Sequence, residues 1–256
     1  GDRKQMKKLY RSITVLILMA VLLGGCAPAP AAAPAASDSP WKIAHITTTP
    51  PIMMRDPLLE MLDQTDDPIP YYYEEVVKFS GHSCMVVAAA WAMTREALDV
   101  LYPGPEIPVR GQIQITAPGA EDEWNIGVFG EVMGYVTGAA PKTGFSGSIF
   151  AKGNPLTVRR NLFIYTEEPV GTKPPFMEWI FTRIDTGQSV AVSWNIGKVI
   201  PPINETVLTE PGGKLAAGTA TEEEAARFNK DWADAAQFLL ENAGKVEGLV
   251  NVRPIP

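Results

Sequence analysis

The run from Met85 to Leu101 constrains the fold more than any other stretch of this chain. Positions 87, 90, 91, 94, 97, 98 and 101 follow the i, i+3, i+4 spacing of one helix face, with Arg95, Glu96 and Asp99 on the other side. Pro103-Gly104-Pro105 stops the run. A helix with such a face has to be covered, so the domain is built around it. The spacing also places Phe79-Ser80-Gly81-His82-Ser83-Cys84 at or just before a helix N-terminus.

That short motif holds one of the two histidines and one of the two cysteines. Imidazole and thiolate one residue apart suit zinc, copper, nickel or iron and are poor ligands for magnesium or calcium. A helix N-terminus favours negative charge, so Cys84 is expected to have a lowered pKa and to form a thiolate readily. Two donors leave a four-coordinate site incomplete. His45, Glu131 and Met85 are the further residues that would complete a site if they converged on His82 and Cys84.

The other cysteine has a different context. Met6 to Arg11 is basic, Ile13 to Leu23 is an unbroken, mostly aliphatic run, and Leu23-Gly24-Gly25-Cys26 closes it. This is the pattern of a secretory signal peptide, with an apolar run too short to span a bilayer. Its end resembles a bacterial lipobox, so Cys26 is expected to be lipidated and residues 1–25 removed, with Met6 as the start. Residues 26–40 are rich in Ala, Pro and Ser and lack apolar periodicity, which reads as a flexible tether. Residues 1–25 carry five basic side chains and one acidic one, so the formal charge falls from −7 to −11 without them. An acidic domain of this kind disfavours nucleic acid as partner. With Cys84 its one cysteine, it holds no internal disulfide and relies on its core.

Along residues 41–256 the sequence predicts a strand over 41–49, a short helix from Asp56-Pro57 to Leu62, and one or two helical turns over 71–78. A strand over 107–116 and a helix over 124–135 follow. Two strands, 148–152 and 158–166, flank Gly153-Asn154-Pro155. A third helix is expected over 176–184, a strand over 189–194, and an irregular excursion over 201–218. Thr221 and Glu224 form a capping box for a last helix whose inner stripe is Phe228, Trp232, Ala235, Ala236 and Leu239. An edge strand over 246–252, ended by Pro254, closes the chain. Strands that interleave with helices without regular crossovers argue for a single α+β domain with a mixed sheet packed by helices.

Three stretches in order resemble the E-type domain of formylmethanofuran dehydrogenase. The motif at 79–84 is similar to that family's Phe-His-Gly-His-x-Cys-Pro-Gly. Glu131-Val132-Met133-Gly134-Tyr135-Val136-Thr137-Gly138 resembles its Asp-Ala-Ile-Gln-x-x-Thr-Gly, and Lys152-Gly153-Asn154-Pro155-Leu156 resembles its Gly-Lys-Gly-Asn-Leu. The resemblance implies a compact α+β fold and a metal at His82 and Cys84, with Glu131 at a nearby acidic position. Ser80 replaces the family's first histidine, Met85 and Val86 replace Pro-Gly, and the C-terminal cysteines of its zinc ribbon are absent.

The expected function is therefore a lipid-anchored, extracytoplasmic protein binding a transition metal, zinc first, or a haem-like cofactor through His82 and Cys84, with an accessory or redox role beside a membrane partner. The absence of Cys-x-x-Cys-His excludes covalent c-type haem. The alternative is a ligand-binding or assembly lipoprotein that has lost the metal site. An enzyme ranks below both, because Gly-x-Ser-x-Gly is absent and only His45 and His82 are available as bases. Replacing the lipidated residue, Cys26→Ser, is expected to abolish palmitate labelling and move the protein from the membrane to the soluble fraction; retention on the membrane would remove Cys26 as the anchor.

Overall fold

The helix expected after the motif forms over Met85–Leu101, and the other elements are arranged about it. The computed structural model describes residues 39–142, 144, 162–168, 171, 177–199 and 205–256, with 205–209 described by backbone alone. Residues 41–256 make one compact unit. In chain order its elements are α1 (His45–Thr48), β1 (Ile52–Met54), α2 (Pro57–Met61), β2 (Ile69–Tyr71), α3 (Tyr73–Ser80), α4 (Met85–Leu101), β3 (Ile113–Thr116) and α5 (Ile126–Thr137). They continue with β4 (Phe163–Ile164), β5 (Trp179–Arg183), β6 (Ser189–Trp194), α6 (Glu205–Ala216), α7 (Glu222–Asn242) and β7 (Val250–Ile255).

The main sheet runs β4-β3-β5-β6-β7, with β3 and β4 parallel and the other neighbours antiparallel. A separate antiparallel pair joins β1 to β2. Helices with a mixed sheet make this an α+β fold. No helix among the described residues is long and apolar enough to cross a membrane.

Helix α4 packs on α5, α7, β6 and β7, and every residue from Val87 to Thr94 is buried. A helix buried on all sides needs small residues where its neighbours come close, and Ala88, Ala89, Ala90, Ala92 and Ala97 supply them. Thr94 tolerates burial because its hydroxyl donates to Ala90 O at 2.7 Å. On the sheet, Trp179, Phe181 and Arg183 point inward while Ile180 and Thr182 stay half-buried. Phe129 of α5 meets the ring of Trp179 at 4.4 Å and that of Trp194 at 6.2 Å, joining helix layer to sheet. At position 130 a Cβ would collide with the Tyr165 hydroxyl, so glycine there admits the tyrosine.

Several expectations are corrected. Residues 41–49 do not form a strand. The Thr48 and Thr49 hydroxyls donate to Ala44 O and His45 O, closing the short α1 instead. The helical turns expected from 71 begin later, because Ile69–Tyr71 is strand β2, and the strand over 107–116 shortens to β3 after Gly111 turns at φ +79°. The third helix is strand β5: its residues fit a helical stripe at 176, 177, 180, 181 and 184 and also an alternating one at 179, 181 and 183, and pairing with β3 and β6 decides for the second. Residues 205–216 form α6 despite Pro211. Strand β7 extends through Pro254, which opposes Val190 in an edge strand where a missing N–H is tolerated.

The strand at 148–152 lies outside the described residues, and the one at 158–166 survives within them as β4. Both capping features hold: Asp56 Oδ1 accepts from Leu58 N at 3.0 Å, and Thr221 and Glu224 bond reciprocally. Truncating the ring between the two tryptophans, Phe129→Ala, is expected to cost about 3–5 kcal/mol in urea denaturation. A loss below about 1 kcal/mol would mean that this cluster does not hold α5 to the sheet.

Candidate functional site

The motif forms the turn between α3 and α4. Helix α3 ends at Ser80, and Gly81 follows at φ +80°, a left-handed cap that favours glycine. Cys84 is extended and serves as the N-cap of α4: its sulfur, 3.5 Å from Val87 N, accepts that amide's hydrogen. The thiol is buried, whereas His82 is exposed, with Nδ1 3.3 Å from Ser80 O. The two expected metal donors therefore occupy opposite environments.

Ser83, between them, is the residue that gathers partners. Its Oγ lies 3.1 Å from His45 Nε2 and 2.9 Å from Tyr73 Oη, and its carbonyl accepts from Trp232 Nε1 at 2.9 Å. Elements α1, α3 and α7 thus converge on one turn. His45 and Tyr73 are buried, and Ser83 is half-buried. His45 Nδ1 is buried with no hydrogen-bond partner among the described residues.

That orphan nitrogen fixes the tautomer. A buried N–H without an acceptor is the costlier arrangement, so the proton belongs on Nε2, where Ser83 Oγ accepts it. The Tyr73 and Ser83 hydroxyls share a further hydrogen bond in which either can donate. With its proton on Nε2, His45 offers Ser83 no lone pair to deprotonate it, and no carboxylate among the described residues bonds Nδ1 to orient the ring as a catalytic triad requires.

Burial also sets the protonation states. It holds the His45 imidazole below its ordinary value of 6.5, partly opposed by the Glu241 carboxylate. Burial pushes the Cys84 thiol up, outweighing the amides of Val87 and Val86 that favour the thiolate. The expectation of a lowered Cys84 pKa is thereby corrected: the helix N-terminus acts in the expected direction, and desolvation is larger. Tyr73 is likewise pushed up by burial.

The remaining predicted residues do not gather at Cys84. Glu131 is exposed on α5, where its charge acts on Tyr165, and Met85 is half-buried in the first turn of α4. His45 reaches Ser83. Among the described residues no group of three or more His, Cys, Asp and Glu could hold a metal ion.

Beside His45 opens a cleft of about 450 Å³ between α1, α4 and the end of α7. Its walls include His45, Trp91, Arg95, Glu96, Glu241 and Gly244. Sequence reasoning assigned Arg95 and Glu96 only to the polar side of a helix and passed over Ser83, Tyr73 and Glu241. No spacing in the chain links these residues, since α1, α3 and α7 meet α4 only in the folded state.

No family model matches the chain, and no curated protein matches it significantly.

A histidine kept neutral by burial makes stability depend on pH. Above about 6.5 both folded and unfolded forms leave it neutral; as pH falls below that value the unfolded chain binds a proton that the folded one refuses. Stability is therefore expected to fall between 6.5 and the lower folded pKa, and to stop falling on this account below it. Urea midpoints across that range should drop less for His45→Gln than for the parent; equal slopes would remove His45 as the source.

Proposed function

We propose that residues 41–256 form an extracytoplasmic ligand-binding domain, related in fold to the E-type domain of formylmethanofuran dehydrogenase, that has lost the metal centre of that family. It is held to a bacterial membrane through residues 26–40 and a lipid on Cys26. The observation that carries this reading is the divergence of the two donors: the Cys84 thiol is buried as the cap of α4, while His82 faces solvent. A metal at Cys84 would have to break that cap and deprotonate a thiol whose pKa is raised. The chain's other donors of this type are limited to His45, already bonded to Ser83, and Cys26 at the lipid position. The domain acts by binding, and its role beside a membrane partner is accessory.

The competing proposal keeps the metal or haem. Haem needs only one strong axial ligand from the protein, and the exposed His82 offers an imidazole for it. The two readings separate cleanly by metal analysis of the purified full chain and by haem titration followed in the visible spectrum. The ligand-binding reading expects substoichiometric metal and no Soret shift that depends on either donor. Stoichiometric zinc, or a Soret shift lost in His82→Ala or Cys84→Ala, overturns it.

A further inference from the structure

Building on the ligand-binding reading, we propose that the cleft between α1, α4 and the end of α7 is the binding site, and that its ligand is a small zwitterion: an α-amino acid or short peptide with an apolar side chain. The volume of about 450 Å³ lies toward the lower end of the range of about 300–1,000 Å³ for small-molecule sites.

Its walls carry charged groups of both signs: Arg95 and Lys245 against Glu96 and Glu241. Behind them Trp91 Nε1–H and His45 Nδ1 are buried, each with no hydrogen-bond partner among the described residues. Arg95 and Glu96 stand side by side on α4, both half-buried. The guanidinium donates to Pro50 O and lies 5.9 Å from the Trp91 ring centre, and no carboxylate among the described residues lies within ion-pair distance of it. The Glu96 carboxylate likewise has no ion pair or hydrogen bond among the described residues.

Partial burial of a charge carries a cost that a bound counter-charge would offset. Burial draws the Arg95 pKa down, opposed by Asp99 and Glu96, and pushes the Glu96 pKa up together with Asp99, opposed by Arg95. The Glu96 carboxylate lies against Gly244, where a Cβ would stand 2.8 Å from both its oxygens. Across the cleft Glu241 and Lys245 add one charge of each sign.

A ligand with a single charge would satisfy one set and leave the other unmatched. A carboxylate fits Arg95 and Lys245. An ammonium fits Glu96 and Glu241. Leu240, Pro50 and Ala243 leave an apolar surface for a side chain. The two polarities together select the zwitterion.

Isothermal titration of the full chain with L-leucine, L-phenylalanine and Leu-Leu, each compared with its C-terminal amide and its N-acetyl form, tests the assignment. At least one free zwitterion should bind, with both blocked forms weaker by about tenfold or more, as expected for loss of a charge-assisted hydrogen bond. Arg95→Gln should erase the preference for the acid over the amide, and Glu96→Gln the preference for the free amine over the acetylated one. Because the blocked ligands are compared on the unaltered chain, the test does not depend on either variant folding. No binding by any of the three zwitterions, or equal binding by blocked and free forms, overturns the proposal. This outcome is distinct from failure of the ligand-binding reading, which falls only if His82 and Cys84 load metal or haem.

Discussion

Burial of α4, complete from Val87 to Thr94, is the constraint on which the rest of this structure depends. Helices α5 and α7 and strands β6 and β7 all pack against it, and a helix surrounded in this way has little room for polar groups along its first turns. The alanines from 88 to 92 let those neighbours approach closely. Its two ends are secured by different chemistry. Cys84 caps the first turn through its sulfur. At the other end Arg183 of β5 donates to Leu101 O at 3.1 Å, pairs with Glu106 and Asp185, and lies 4.0 Å over the Tyr102 ring. That arrangement ties the end of the central helix to the hairpin of the sheet.

The same constraint locates the chemistry. Since α4 is buried over most of its surface, its polar residues are confined to one edge, and Arg95 and Glu96 emerge where α1 and the end of α7 leave a gap. At the helix N-terminus, the turn before α4 has to satisfy the buried face on one side and meet solvent on the other. Cys84 and Ser83 turn to the inside, where Val87 N, His45 and Tyr73 take them up, and His82 is left outside. A spacing that looks like a ligand pair in the chain is, in three dimensions, a helix cap next to a surface histidine. Desolvation, which opposes charge on Cys84 and His45 alike, gives both residues the character of structural groups in the free protein.

The misread segments share one physical origin. Residues 177, 180, 181 and 184 fit a helical stripe, yet Trp179, Phe181 and Arg183 alternate equally well, and only the neighbouring strands β3 and β6 decide. Trp41–Thr49 is rich in β-branched residues but pairs with no strand among the described residues, and its threonine hydroxyls bond to the preceding carbonyls instead. Short apolar segments lack an intrinsic preference strong enough to overrule their surroundings. The long segments behave differently, because α4 and α7 carry several turns of consistent periodicity with cap residues at their starts.

The sequence by itself determined the central helix, its stop at Pro103-Gly104-Pro105, the capping of α2 and α7, the strand at Ser189–Trp194 and the α+β class. These are local matters of period, cap chemistry and backbone restriction, each written within a few neighbouring residues. Tertiary structure alone decided that Ser83 would meet His45 and Tyr73, that Cys84 would be buried, and that Trp91, Arg95, Glu96 and Glu241 would line one cleft. The residues of that cleft come from segments nearly two hundred positions apart, brought together by the packing of α1 and α7 on α4. No local pattern encodes such a meeting, because it exists only once the apolar faces that flank those residues have left water.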